Sequence, residues 1–185
     1  LGVTQVGELG ELESPILLPP HDPGLRDRWA RGSALFDEVG CATCHVRHLQ
    51  LAFSSWSELP DTTGGPPVIL NLVNDGEQPR SSLVVELFSD LKRHDMGEDL
   101  ADKNDDPAGL VPRSVFLTRP LWGLADTPPY LHDGRAATIP AAILAHGGDA
   151  AKSRDAFAHL PADEQADLHI FLRSMTREPK PRVAR

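Results

Sequence analysis

Hydrophobic positions along the chain fall into helical runs separated by long aperiodic segments. Leu25, Trp29, Leu35, Phe36 and Val39 recur near the spacing of one helix face. Asp22-Pro23 ahead of them reads as an N-cap followed by proline at the first helical position, and Gly40 as a stop. Thr138-Ile139-Pro140 opens a second run, Ala141 to His146, which Gly147-Gly148 ends. Asp149 to His159 predicts another helix. Pro161 opens a last one, with Leu168, Phe171, Leu172 and Met175 on one face. Leu83, Val84, Leu87, Phe88 and Leu91 fit a further short helix, although Val84-Val85 also suits a strand.

The segments between are of a different kind. Residues 46–80 contain Pro60, Gly64, Gly65, Pro66, Pro67 and Pro79 and read as a long insertion without period. Residues 95–106 are strongly acidic, and residues 107–135 form a second proline-rich loop. With 17 prolines and 15 glycines, the chain needs long ordered loops rather than a regular bundle. Residues 1–22, ending in Leu17-Leu18-Pro19-Pro20, read as an extended arm or the remnant of an interdomain segment, and residues 177–185 as a basic flexible tail. That leaves 23–176 as one mostly α domain with long proline- and glycine-rich loops. Leu1-Gly2-Val3-Thr4 carries no initiator Met and no charged-then-apolar leader, so a processed product or part of a longer chain is expected.

Charge narrows the partners. The formal net charge of −9 disfavours nucleic acid and favours basic or neutral protein surfaces. No stretch approaches the roughly 20 apolar residues of a membrane span. Hydrophobic residues make up 40% but aromatics only 5%, which predicts a modest, aliphatic core. The two cysteines are too close together to build a disulfide framework.

Those cysteines carry the chemistry. Cys41-Ala42-Thr43-Cys44-His45 puts two thiols about one helical turn apart and an imidazole directly after the second. This is the signature of c-type haem attachment: two thioether bonds to the porphyrin vinyl groups and a proximal histidine on the iron. One haem c, covalent through Cys41 and Cys44, is therefore expected. Two rivals are weaker. His48 completes a Cys-x2-Cys-His-x2-His cluster for zinc, but structural zinc draws its second ligand pair from a distant segment. A dithiol redox pair belongs in a βαβ pattern that this sequence lacks. For the second axial position the candidates are Met96, in the polar run Arg93-His94-Asp95-Met96-Gly97, and His94. Met175 reads as core. A thioether ligand raises the haem potential and favours electron transfer.

Two further segments carry a family resemblance. One is Leu87-Phe88-Ser89-Asp90-Leu91-Lys92-Arg93-His94-Asp95-Met96-Gly97. The other runs from Thr118-Arg119-Pro120-Leu121-Trp122-Gly123-Leu124 through Pro129-Tyr130-Leu131-His132-Asp133-Gly134-Arg135-Ala136 to Ala145-His146-Gly147-Gly148. With the Cys pair, these resemble the C-terminal haem domain of the di-haem cytochrome c peroxidase and MauG-like oxidoreductases over most of residues 24–175. The resemblance implies a cytochrome c-like helical fold. It also implies a haem that receives electrons, often ligated by His and Met, and a partner half carrying the peroxidatic haem. This sequence has one Cys-x-x-Cys-His where such proteins have two.

Other residues add candidates. Arg119 and Arg135 suit a haem propionate, and Trp122 and Tyr130 the porphyrin edge, a propionate or plain core. His132 reads as a polar residue near the haem or a turn-stabilising one, and Asp133-Gly134 as turn chemistry. His146 reads as a charge balancing a helix C-terminus. His21, His159 and His169 read as ordinary surface or helix residues. Asp102-x-Asn104-x-Asp106 copies half a calcium loop, but Pro107 stands where that loop needs glycine and no glutamate stands at its twelfth place. A solvated acidic face, formed with Asp95, Glu98, Asp99 and Asp105, is the plainer reading. No Ser-His-Asp or phosphate-loop pattern occurs. The expected function is one-electron transfer outside the cytoplasm, in the periplasm, to a redox partner or a subunit carrying further haems. The alternatives are the electron-relay half of a di-haem peroxidase or MauG-like oxidoreductase, and a structural or docking haem subunit.

Overall fold

A computed structural model describes residues 16–17, 22–51, 55–58, 68–71, 83–104 and 106–176. Most of the 1–22 arm, His21, the prolines and glycines quoted from 46–80, Asp105 and the 177–185 tail lie outside the described residues. Within the arm, Ile16–Leu17 forms a short strand, β1. Helix α1, Pro23–Glu38, begins as its sequence requires. The Asp22 side chain accepts from the Leu25 amide at 3.0 Å, and proline stands where an amide hydrogen would go unused. Gly40, with φ of 88°, turns the chain out of the helix and into a 3-10 turn over Cys41–Thr43.

The region expected to lack regular structure contains strands instead. β2 (Leu49–Leu51), β3 (Ser55–Glu58), β4 (Val68–Asn71) and β5 (Leu83–Val85) pair as two nested antiparallel ladders. The inner ladder matches Ser55 with Asn71 and the outer one Leu49 with Val85. Strands this short show no readable alternation, and each partner lies far along the chain. Leu83 and Val84 therefore join a strand, not the short helix, and Leu87, Phe88 and Leu91 follow in irregular chain. β6 (Arg93–Asp95) pairs with β7 (Val115–Leu117) across the acidic segment.

Helix α2, Ile139–Ala145, is capped by the Thr138 hydroxyl, and α3, Ala151–His159, and α4, Ala162–Arg173, follow. Met175 is fully buried as expected, but it stands just beyond α4 in β8, Met175–Thr176, which pairs with β1. Among the described residues the fold is mixed and mostly helical.

Helices α1 and α4 cross closely. A Cβ on Gly32 would stand 2.0 Å from the Asp167 carbonyl oxygen, so glycine alone permits this approach. Arg28 and Arg31 reach across to the Asp167 carboxylate at 2.5 and 2.8 Å. Leu35, Phe36 and Val39 of this corner pack with Leu168, Phe171 and Leu172, joined by Phe88, Ile139, Phe157 and Met175. Burying a side chain of this size contributes about 1.5–3 kcal/mol. The Arg47 guanidinium lies 5.0 Å from the ring centres of Phe36 and Phe171 and 5.7 Å from that of Phe88. Its charge is balanced by Asp37 at 3.0 Å. Arg47 thereby ties the segment after His45 to the aromatic core.

Candidate functional site

The end of α1 sets the first part of the site. A side chain at Gly40 would meet the Ser153 hydroxyl at 2.8 Å, and the turn that follows lets the His45 amide donate to the Cys41 carbonyl at 2.9 Å. Cys41 and Cys44 are both free and half-buried. Burial pushes the Cys41 thiol up to about 11, and raises that of Cys44, to which the Asp90 and Asp149 carboxylates add. A redox dithiol needs the opposite shift, usually at a helix N-terminus. This pair follows a helix C-terminus, where the dipole disfavours a thiolate. His48, the possible zinc ligand, lies 3.3 Å from Glu86.

The segment 88–90 runs along the Cys pair. The Asp90 amide donates to the Cys44 carbonyl at 2.9 Å and the Ser89 amide to that of Val46 at 2.9 Å. Phe88 sits in the left-handed region, with φ of 52°, and its carbonyl oxygen lies 3.0 Å from His45 Nδ1. A carbonyl only accepts, so the proton is assigned to Nδ1, and Nε2 keeps its lone pair. Burial holds His45 down at about 4, against the Phe88 bond and with help from the neighbouring His146. His45 is thus neutral at pH 7, fixed in one tautomer and oriented by a backbone carbonyl, the arrangement of a metal-ligating histidine. Phe88 and Asp90 escaped the reading of side-chain chemistry because both act partly through the backbone.

Met96 directly follows β6. Its amide donates to the Ser114 carbonyl at 2.8 Å, and its side chain is half-buried. The backbone of 95–97 lies against Gly147-Gly148. A Cβ on Gly147 would stand 2.7 Å from the Met96 carbonyl oxygen, and one on Gly148 would stand 2.1 Å from that of Asp95. The Met96 backbone is therefore set against the residue that follows His146, and His146 lies close enough to His45 to affect its charge. Burial lowers the His146 pKa, so at pH 7 it is a neutral donor to the Ala142 carbonyl at 2.7 Å, not the positive charge expected at the end of α2. His94 Nε2 is bonded to the Asp90 carboxylate at 2.8 Å, and its Nδ1 faces Asp149 at 3.8 Å, beyond hydrogen-bond length.

The remaining candidates have protein partners. Trp122 donates its indole N–H to the Glu86 carbonyl at 2.7 Å, and Tyr130 its hydroxyl to that of Leu124 at 3.0 Å. His132 is exposed and stacks on Phe116 with ring centres 4.4 Å apart. Arg135 bridges Asp133 at 2.7 Å and donates to the Asp99 carbonyl. The Arg119 side chain is exposed, while its backbone adds to the hydrogen bonding of His45. Asp106 accepts the amides of Ala108, Leu110 and Val111, as a loop cap does. His159 is exposed, with Nδ1 at 2.6 Å from the Asp155 carbonyl, and His169 is half-buried on α4. No described helix is long and apolar enough to cross a membrane.

A mostly helical domain that presents two neutral thiols and an oriented, neutral histidine is fitted to a redox cofactor. Its family agrees: the model of the di-haem oxidoreductases, described as peroxidase-like, matches residues 24–175, and the chain belongs to that family. No curated protein and no solved structure matches the chain.

Proposed function

We propose that this chain carries one haem c in a cytochrome c-like fold and passes single electrons to a redox partner, as the electron-relay part of a two-haem system. The observation that carries the reading is the His45 Nδ1 contact with the Phe88 carbonyl, which orients a neutral imidazole in the residue directly after the Cys pair. Cys41 and Cys44 would hold the porphyrin, and His45 and Met96 the iron. Bound haem supplies reversible one-electron iron chemistry. The chain's own residues would position it: Phe88 fixes the histidine, Gly147-Gly148 backs the Met96 segment, and the exposed Arg119 side chain would face a propionate. Family membership supports a partner carrying the second haem, and haem c attachment supports a place outside the cytoplasm.

The test is expression with a haem-attachment system, followed by optical spectra. One haem that resists acid–acetone extraction, and a red methionine-to-iron band that disappears in Met96→Ala, are expected. Extractable haem, or a high-spin spectrum with rapid peroxide reactivity, would overturn the relay reading.

A further inference from the structure

We propose that His94 is the positioning residue of the Met96 segment, a clamp and not a ligand. The inference rests on the reading of Met96 as the second axial ligand. His94 Nε2 lies 2.8 Å from Asp90 Oδ2, and Nδ1 lies 3.8 Å from Asp149 Oδ2. Each carboxylate belongs to a different piece of chain. Asp90 is fixed to the Cys pair through its amide on the Cys44 carbonyl, and its other oxygen accepts the Lys92 amide at 2.9 Å. Asp149 follows Gly147-Gly148 and accepts the Asp95 amide at 3.1 Å through the same Oδ2 that faces His94. The imidazole therefore joins strand β6 to the Cys44 turn by a short bond and faces, at 3.8 Å, the Asp149 carboxylate that holds the Asp95 amide to the loop after α2.

The position needs such a clamp. β6 is three residues long and, among the described residues, pairs with β7 alone, itself three residues long. A two-stranded ladder of that size is not stable in water by itself. Glycine backbone lies on its other side, and there the one side-chain bond described is the Asp149 carboxylate on the Asp95 amide, at the end of the strand. A weak thioether ligand gains most from being held in place beforehand. His94 is also poorly placed to ligate, because freeing Nε2 would break the short Asp90 contact and leave that largely buried carboxylate without its imidazole.

The experiment compares the holoprotein with His94→Ala and His94→Gln, and with Met96→Ala in parallel. Its readouts are the red methionine-to-iron band and hydrogen exchange at the Met96 amide. His94→Ala is expected to keep covalent haem and the His45 bond, to lose most of the red band, and to speed Met96 amide exchange by about tenfold or more, as loss of a charge-assisted hydrogen bond implies. Amides of α1 and α4 should be unchanged, and His94→Gln, which keeps a donor toward Asp90, should restore part of both signals. An intact band with unchanged exchange in His94→Ala overturns the clamp. So does a high-spin His94→Ala beside a Met96→Ala that keeps the wild-type spectrum, which makes His94 the ligand. If no variant alters the band, the Met96 reading fails by itself, and exchange at the Met96 amide in His94→Ala still decides whether the clamp exists.

Discussion

The carbonyl oxygen of Phe88 lies 3.0 Å from Nδ1 of His45, held there by a left-handed backbone at a residue whose ring is 1% exposed. An unfavourable φ costs a non-glycine residue about 1–2 kcal/mol. Packing of the ring among Phe36, Phe171 and Arg47 offsets that cost. The aromatic core and the orientation of His45 thus meet in one residue, the first through its side chain and the second through its backbone.

This division is testable. Phe88→Leu should lower stability by about 1–2 kcal/mol, because the volume is nearly kept, and leave the His45-ligated spectrum unchanged. Phe88→Ala should lose about 3–5 kcal/mol. Urea unfolding followed by circular dichroism measures both. A Phe88→Leu protein with wild-type stability but an altered spectrum would assign the ligand geometry to the ring.

Gly32 sets a contest between helix propensity and contact. Alanine in a helix interior gains about 1 kcal/mol over glycine. Here its Cβ would stand 2.0 Å from the Asp167 carbonyl oxygen and 2.6 Å from the carbonyl carbon. Neither atom belongs to a flexible side chain, so the helices must separate. Gly32→Ala is expected to lose about 1–3 kcal/mol net, read from the urea midpoint. A gain in stability would show that α1 and α4 do not cross so closely.

Helix starts were legible in the sequence because their signals are local. Asp22-Pro23 and Thr138 cap the helices they announce. The Cys41–His45 motif was legible for the same reason. The nested strands were not, since Leu49 pairs with Val85 and no periodicity spans that separation. The second half of the site escaped similarly. Met96 could be named as a candidate, but its seat against Gly147-Gly148 depends on backbone contact between segments about fifty residues apart. His94 and His146 drew readings from residue type, whereas their roles follow from the carboxylates and carbonyls that reach them.

Asp167 gives the fold a pH signature. Burial pushes its carboxyl up, but the bonds from Arg28 and Arg31 outweigh burial and hold it below the usual 3.8. A pKa depressed in the folded state means that the ionised carboxylate stabilises the fold. That contribution is complete above 3.8 and is lost as pH falls through the lower folded value. Asp167→Asn should therefore cost about 1–2 kcal/mol at neutral pH, a modest figure because both arginines are partly hydrated. The gap from wild type should narrow as the pH falls below 3.8 and through the lower folded value. Unfolding curves at several pH values test this, and a gap independent of pH would remove the carboxylate from the account.

Gly148 offers the sharpest test of how the Met96 segment is seated. Its φ is 48°, and a Cβ there would stand 2.1 Å from the Asp95 carbonyl oxygen and 2.7 Å from the Gly97 amide nitrogen. Alanine would incur two separable penalties, about 1–2 kcal/mol for the left-handed backbone and about 1–3 kcal/mol for the contact. Gly109 separates them, because its φ is 63° and nothing lies within 4 Å of the corresponding Cβ. Gly109→Ala should show the conformational penalty alone and keep the red methionine-to-iron band. Gly148→Ala should show both penalties, about 2–5 kcal/mol together, and lose the band, since Asp95 to Gly97 must withdraw from the site. Thermal unfolding and the optical spectrum read the two effects independently. If both variants lose equal stability and both keep the band, contact between Gly148 and Asp95 does not hold Met96 in place.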